Sequence, residues 1–366
     1  MSRKILITGA DGYLGSCLTR KVLDESDDQL VLWVRAKDRE ESCRKQDAMS
    51  QKFAGHADRI TVAFGDLREE EPFLSVDPND IQSIIHTAAV TRFNVEPELA
   101  NAVNVEGTRK LLRFAQDCRY LERYGQVSTV YSSGLSSGKI SESPAKAGNS
   151  FANHYERSKC EAEMILQEDF RDLPWQLFRA ATIISDDDDG KVVQYNVFHN
   201  TMRLLFHGLI SLVPGLHSTP IYLVTGRFTT DAIYQIFTDR DPNVIRRIYN
   251  VCHEKEHSLG LGELVDRVFE NFASDGDFNR RRILKPLFTD LNAFEVLANA
   301  LNGLGGVVVR QALESIRPFS KQMFICKEIQ NENLRVAYPA YANPNSPLLI
   351  DNVVQHLIRT RWGRCA

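Results

Sequence analysis

Long apolar runs are missing from this sequence: nowhere do ~18 apolar residues stand together, which excludes a membrane-spanning helix. Paired cysteines are missing too. Cys17, Cys43, Cys118, Cys160, Cys252, Cys326 and Cys365 are scattered singly without a C-x-x-C, and seven cannot all pair within one chain. Reduced thiols in a cytoplasmic setting are expected, with no metal site. Nor is there an excess of one charge. Lys and Arg number 44 against 48 Asp and Glu, a formal charge of -4 that argues against a nucleic-acid or anionic-membrane surface as the main partner. Internal repeats and low-complexity linkers are absent. A leader is not expected, because the strand-like Ile5, Leu6 and Ile7 come almost at once. What is present is an ordinary globular composition, 43% hydrophobic and 25% charged over 366 residues, enough for a nucleotide-binding domain and a smaller second unit.

The first half alternates short apolar runs with amphipathic stretches, the pattern of β-α-β units feeding a parallel sheet. Strands are predicted at Lys4–Thr8, Leu30–Val34, Ile60–Phe64, Ser83–His86, Gln126–Thr129 and Gln176–Arg179. The pattern changes after Arg179. Ser185–Gly190 is a polar, acidic break expected to be a solvated loop, followed by a helical stretch from Gln194 to Gly208. Strand-like runs return at Pro220–Val224 and Ile248–Cys252, then a mostly helical tail with a turn-rich end at Tyr338–Leu348. The expected division is a nucleotide-binding domain over 1–185 and a substrate-binding region over 186–366, with 220–253 returning to the first domain's sheet.

Thr8–Gly9–Ala10–Asp11–Gly12–Tyr13–Leu14–Gly15 fits T-G-x-x-G-x-x-G between the first strand and the first helix. A tight turn needs Gly9, close approach of a pyrophosphate needs Gly12, and helix–strand contact favours Gly15. The unpaired N–H groups at the helix start then face the phosphates. Thr8, Gly9, Asp11, Gly12, Tyr13, Leu14 and Gly15 are therefore candidate cofactor contacts. The second strand ends in Arg35, followed by Lys37, with no acid at its tip. An acid there would accept from a ribose 2′-hydroxyl, whereas Arg suits a 2′-phosphate, so NADP(H) is expected, with Arg35 as the phosphate ligand. Gly65–Asp66–Leu67 follows the third strand, where Asp66 can reach toward the adenine. His86–Thr87–Ala88–Ala89 follows the fourth, where small residues let the backbone lie along the cofactor; His86 itself reads equally as a contact or as an ordinary strand-end histidine.

Tyr155 and Lys159 stand four apart, on one helical face. A phenol of ordinary pKa near ~10 is a sluggish proton donor and acceptor at neutral pH. A neighbouring ammonium stabilises its ionised form. The same lysine can bind the nicotinamide ribose, which places both residues at the cofactor as well. None of the other ten tyrosines has Lys four residues on. The strand end before this helix, Val127–Ser128–Thr129, supplies hydroxyls to hold a substrate carbonyl; Thr129 is favoured, with Ser128 the alternate.

Together the glycine motif, Gly65–Leu67, His86–Ala89, Asn104–Val105–Glu106–Gly107–Thr108, Ser128–Thr129 and the Tyr155/Lys159 pair resemble the extended short-chain dehydrogenase/reductases. The resemblance is closest to the branch of fatty acyl-CoA reductases and of the thioester reductase domains of carboxylic acid reductases and peptide synthetases. It is carried by Val34–Arg35–Ala36, His86–Asn94 and Val127–Thr129 followed by Tyr131, and it is strong over 1–180, patchy to about 252 and negligible beyond. It implies an α/β fold, a doubly wound parallel sheet of Rossmann type with a smaller, mostly helical C-terminal substrate domain. It also implies that Asn104 helps position Lys159, commonly through water; the family often pairs as a homodimer through the tyrosine helix, and the sequence leaves the oligomeric state open. Two departures stand near the expected substrate position: Ala180 follows Arg179 where the family usually has Pro, and Tyr222–Asp231 only loosely matches the family's Val-Pro-Val-Asp segment.

The expected reaction is NADPH-dependent reduction of an acyl thioester, on coenzyme A or an acyl-carrier protein, to an aldehyde or further to an alcohol. The alternatives are a ketone, aldehyde, alcohol or nucleotide-sugar oxidoreductase of the same fold, or a redox-sensing protein that holds NADP without turnover. The last class tends to lack the Tyr/Lys pair.

Overall fold

The computed structural model describes residues 3–145, 148–304 and 316–363; Cys365 lies outside them. Seven strands form one parallel sheet: β1 (Lys4–Thr8), β2 (Gln29–Arg35), β3 (Ile60–Gly65), β4 (Ser83–His86), β5 (Arg123–Thr129), β6 (Trp175–Ala180) and β7 (Arg247–Val251). Their order is β7-β6-β5-β4-β1-β2-β3. Both faces are covered, which is why the strands are apolar without alternation. Alternate residues of β1 show this directly. Ile5 and Ile7 pack with Leu18 and Val22 of α1 (Tyr13–Glu25), while Leu6 packs with Leu111 and Leu112 on the other side.

The chain extends the sheet outward from β1 through β2 to β3, then returns to place β4 on the other side of β1. Helices change face with that reversal. α2 (Arg39–Lys52) follows β2, whereas α3 (Gly107–Asp117) and α4 (His154–Glu168) cover the face opposite α1. The crevice between β1 and β4, outside their carboxyl ends, is where such sheets bind ligands.

A second core is made by α5 (Val197–Phe206), α7 (Leu261–Phe272) and α8 (Ser346–Arg359), around Phe198, Phe206, Val268, Phe272, Val353 and Leu357. The remaining long helix on the sheet, α6 (Gly226–Thr238), sets Ile233, Ile236 and Phe237 against the face that carries α1. No helix among the described residues is long and apolar enough to cross a membrane.

Several boundaries differ from the sequence expectation for local reasons. Of segment 220–253, Arg247–Val251 joins the sheet beside β6, while Leu223–Thr225 pairs with Thr182–Ser185 and Pro220–Ile221 with Leu259–Gly260. Pro220 lacks a donor for a central ladder, and the Tyr222 hydroxyl is drawn to the Lys327 carbonyl at 3.0 Å. The helix expected from Gln194 begins at Val197, because the Asn196 side chain caps it and His199 closes a capping box. The turn-rich end gives way to α8 at Ser346, capped by Asn345 with Pro347 in the first turn.

The first turn of α1 is pressed against β1 and β4. Gly9 has φ +70°, and a Cβ there would lie 2.8 Å from the Ala88 backbone; a Cβ on Gly15 would lie 2.2 Å from the Gly9 carbonyl oxygen. Gly15→Ala is therefore expected to lower stability by about 1–3 kcal/mol through overpacking. It should also weaken dinucleotide binding, since the turn must open. Chemical denaturation and a cofactor fluorescence titration measure the two effects.

Candidate active site

A cleft of about 790 Å³ opens at the carboxyl ends of the central strands. It brings Gly9, Gly12, Tyr13, Leu14, Gly15, Thr87 and Ala89 together with Ser128, Thr129, Tyr155 and Lys159. Thr8, Asp11, Arg35, Asp66, Leu67, Ala88 and Asn104 lie outside its lining. The cradle suits a dinucleotide pyrophosphate: Gly9 and Gly15 let the turn lie close against β1 and β4, and Gly12 leaves bare backbone at the amino end of α1.

Beneath the cradle, hydrogen bonds give His86 a fixed tautomer. Thr108 Oγ1 donates to the Asn104 carbonyl at 2.7 Å, so at His86 Nε2, 3.0 Å away, it acts as acceptor. His86 Nδ1 then accepts from Thr8 Oγ1 at 2.8 Å, and Thr8 Oγ1 accepts from the Ala88 amide at 3.3 Å. Burial, with the Lys159 charge adding, pushes His86 down to about 3 and keeps it neutral. His86 is thus a structural strand-end histidine.

At the adenine end, Arg35 is exposed and its carbonyl accepts from Lys45 Nζ at 2.7 Å. Lys45 also pairs with Asp11 at 2.8 Å. A second cation thus stands beside Arg35, contributed by α2, and the sequence reading missed it. Asp66 is held in a two-pronged contact by Arg68, at 3.0 Å to Nε and 2.6 Å to Nη2, which keeps its carboxylate below the usual range. Leu67 packs under Gly107, where a Cβ would meet it at 2.8 Å.

The reacting end is built from β5, the wide turn Asn101–Glu106 and α4. That turn is π-type, a form frequent at functional sites. It aims the Asn104 side chain at two segments: Oδ1 accepts from the Val90 amide at 2.8 Å, and Nδ2 donates to the Val90 carbonyl at 3.0 Å and to Ser158 Oγ at 2.9 Å. Asn104 therefore fastens the residue before Lys159 and has no direct bond to the lysine. Lys159 Nζ donates to the Val127 carbonyl at 2.7 Å, and burial pushes it down to about 8.

The two candidate hydroxyls of β5 have separate fates. Both line the cleft, but Ser128 Oγ donates to Glu163 at 2.5 Å, whereas Thr129 Oγ1 accepts from the Tyr131 amide at 3.3 Å. Burial drives the Tyr155 phenol well above its ordinary value, and the charge of Glu156 adds to this, against the smaller opposing effect of Thr129. The expected lowering by an ammonium is not seen: Lys159 Nζ is turned to the Val127 carbonyl, and burial sets the direction. Glu163 is fully buried and paired with Arg179 at 2.7 Å.

Residues beyond those expected complete the site. Phe93 sets its ring edge-on to Tyr155 at 5.7 Å and lies 5.9 Å from Phe319, two hundred residues on. Tyr131, the strand Thr182–Ser185 and residues 192–197 line the cleft. The acidic break is more than a solvated loop, since Asp186 accepts from the Tyr13 hydroxyl at 2.8 Å and fastens residues 186–191 to the glycine turn. Beside Tyr155, Glu156 accepts from Gln322 at 2.8 Å, and Lys327 donates to Ser133 Oγ at 2.9 Å and to the Gly134 carbonyl. Burial pushes Glu156 up and Lys327 down, each offset by the other's charge. Of these, Phe93, in the His86–Asn94 segment, and Tyr131 carried a sequence signal; Phe319, Gln322 and Lys327 come from the region where resemblance is negligible.

The fold, glycine cradle and Tyr/Lys helix define an extended short-chain dehydrogenase/reductase. Within that class the chain belongs to the male sterility protein family, whose sequence profile matches residues 7–232. It is 27% identical over 172 residues to fatty acyl-CoA reductase 2, chloroplastic, of Arabidopsis thaliana, covering 41% of this chain and 28% of that one. It is 25% identical over 222 residues to fatty acyl-CoA reductase wat of Drosophila melanogaster, covering 50% and 43%. The chain thus spans less than half the length of these relatives. Among solved structures it resembles the terminal R domain of the myxalamid PKS-NRPS biosynthetic pathway, with TM-score 0.79, 20% identity and coverage of 99% and 92%. It also resembles a thiolation-reductase di-domain of an archaeal non-ribosomal peptide synthetase, with TM-score 0.72, 19% identity and coverage of 99% and 76%.

Arg179→Met should leave the Glu163 carboxylate buried with only Ser128 as partner, lowering stability by about 3–5 kcal/mol. Adding Glu163→Met should recover most of the loss, as followed by urea denaturation of both variants.

Proposed function

We propose that this chain is an NADPH-dependent reductase of acyl thioesters carried on coenzyme A or an acyl-carrier protein, giving an aldehyde and, from a second reduction, an alcohol. The observation that carries the reading is that Thr129, Tyr155 and Lys159 share one cleft with the glycine cradle. Residues 1–185 would hold the cofactor and 186–366 would shape the substrate pocket.

Gly9, Gly12 and Gly15 would receive the pyrophosphate, with Thr87 and Ala89 alongside. Arg35, exposed at the end of β2, would take the 2′-phosphate, and the lack of an acid at that strand's tip supports NADP(H) over NAD(H). When bound, the reduced nicotinamide supplies a hydride to the thioester carbon. Thr129 and Tyr155 donate to the carbonyl oxygen as it gains charge, and such preorganised donors are typically the largest catalytic contribution. The buried, high-pKa phenol is fully protonated at neutral pH, so Tyr155 passes its proton to that oxygen. Lys159 stabilises the phenolate left behind. The carbon–sulfur bond then breaks, the hydroxyl proton goes to the departing sulfur, and aldehyde and free thiol leave.

NADPH oxidation with an acyl thioester should release one thiol per aldehyde formed, and NADH should serve less well. If a panel of thioesters yields no thiol while a ketone or aldehyde is reduced, the substrate assignment is wrong. Tyr155→Phe should lower kcat by roughly 10²–10⁴-fold; full turnover in that variant would remove the tyrosine from its role.

The protonated form of Lys159 is the active one, and its pKa is held at about 8 in the free protein. The kcat/KM for the cofactor should therefore be full below pH 8 and fall as pH rises through about 8. Lys159→Arg, which stays charged, should remove that falling limb; a limb unchanged in the variant would assign it to another group.

A further inference from the structure

The loop after β4 places an uncommitted cation in the cleft. Arg92 lines it, is exposed, and makes no ion pair or side-chain hydrogen bond among the described residues. It follows Thr91 and precedes Phe93, whose ring lies against Tyr155, in the same cleft-lining loop. Asn94 of the same loop, Gln194 just before α5 and Asn200 in its first turn also line the cleft, exposed and with side chains unpartnered among the described residues. Val193 and Pro318 supply apolar wall between these polar groups. The cleft therefore offers three primary amides and one guanidinium beyond what the nicotinamide and the reacting carbonyl require.

That set matches one chemical feature shared by the thioester carriers. Coenzyme A and carrier proteins both present the acyl group on a pantetheine arm, which has two secondary amides and ends in a phosphate. A planar guanidinium suits a phosphate bidentately, and side-chain amides can both donate to and accept from backbone-like amides. Resting on the thioester reading above, we infer that Arg92 binds the phosphate of a phosphopantetheine arm laid along Asn94, Gln194 and Asn200. The arm is common to both carriers, so Arg92 distinguishes carried thioesters from simple ones and not one carrier from the other.

The test compares wild type with Arg92→Met and Arg92→Lys on one acyl group carried as phosphopantetheine thioester, as pantetheine thioester without phosphate, as acyl-CoA and as acylated carrier protein. In Arg92→Met the ratio of kcat/KM for phosphopantetheine over pantetheine thioester should fall at least tenfold, mostly through KM. Arg92→Lys, a point charge without the fork, should recover part of it. Acyl-CoA and acylated carrier protein should both lose efficiency in Arg92→Met, and wild type's preference between them identifies the source of the arm. An unchanged ratio overturns the assignment. So does a rise in KM for NADPH at constant ratio, which would place Arg92 on the cofactor. If wild type reduces none of the four thioesters, the thioester reading itself fails and the subsite falls with it. If it reduces them and the ratio does not respond to Arg92, only the subsite fails.

Discussion

The site depends on how closely the first turn of α1 lies on the ends of β1 and β4. A side chain on Gly15 would meet the Gly9 carbonyl, and one on Gly9 would meet Ala88. Only bare backbone can occupy both positions, so the amino end of α1 is aimed into the crevice and nowhere else. The same contact starts a chain of hydrogen bonds toward the other half of the site. Thr8 bonds His86, His86 bonds Thr108, Thr108 bonds the Asn104 carbonyl, and the Asn104 side chain bonds Ser158 on α4. Ser158 in turn donates to the Tyr155 carbonyl at 2.8 Å. The cradle and the helix that carries Tyr155 are therefore joined through buried polar groups, each with one arrangement of donors that satisfies the next.

Around Tyr155 lie one buried ion pair and two further buried charges. Glu163–Arg179 lies beneath the end of β5 and takes up the Ser128 hydroxyl. Glu156, in the first turn of α4, accepts from Gln322, and Lys327 donates to Ser133 and the Gly134 carbonyl, which ties this turn to the segment 322–327. A buried ion pair adds little net stability over apolar replacements of the same shape. Here these groups fix the Ser128 hydroxyl and the first turn of α4, while burial keeps the phenol protonated.

Much of this was legible in the sequence. The strand–glycine turn–helix pattern and the near-continuous apolar strands define a doubly wound sheet, because parallel strands buried on both faces have no polar alternation to show. Gly9, Gly12, Gly15, Thr129, Tyr155 and Lys159 were readable by residue type and position. The partners were not. Lys45 folds back on Arg35 from the next helix, and Phe319, Gln322 and Lys327 reach the site from far along the chain; ordinary residue types at ordinary spacings carry no local signal of either approach. Asp186 read as part of a solvated acidic loop because nothing in four consecutive aspartates tells which one meets Tyr13.

By itself the sequence determined the class of fold, the crevice that receives a dinucleotide and the helix that carries the tyrosine. These follow from local rules of backbone freedom and residue periodicity, which act within a few residues. Tertiary structure alone decided that the Ser128 hydroxyl is taken up by Glu163, that Asn104 holds Ser158 and Val90, that His86 is neutral and structural, and that Tyr155 is kept protonated by burial. Each of those outcomes turns on desolvation or on competition among buried partners from different elements, and neither exists until the elements have packed.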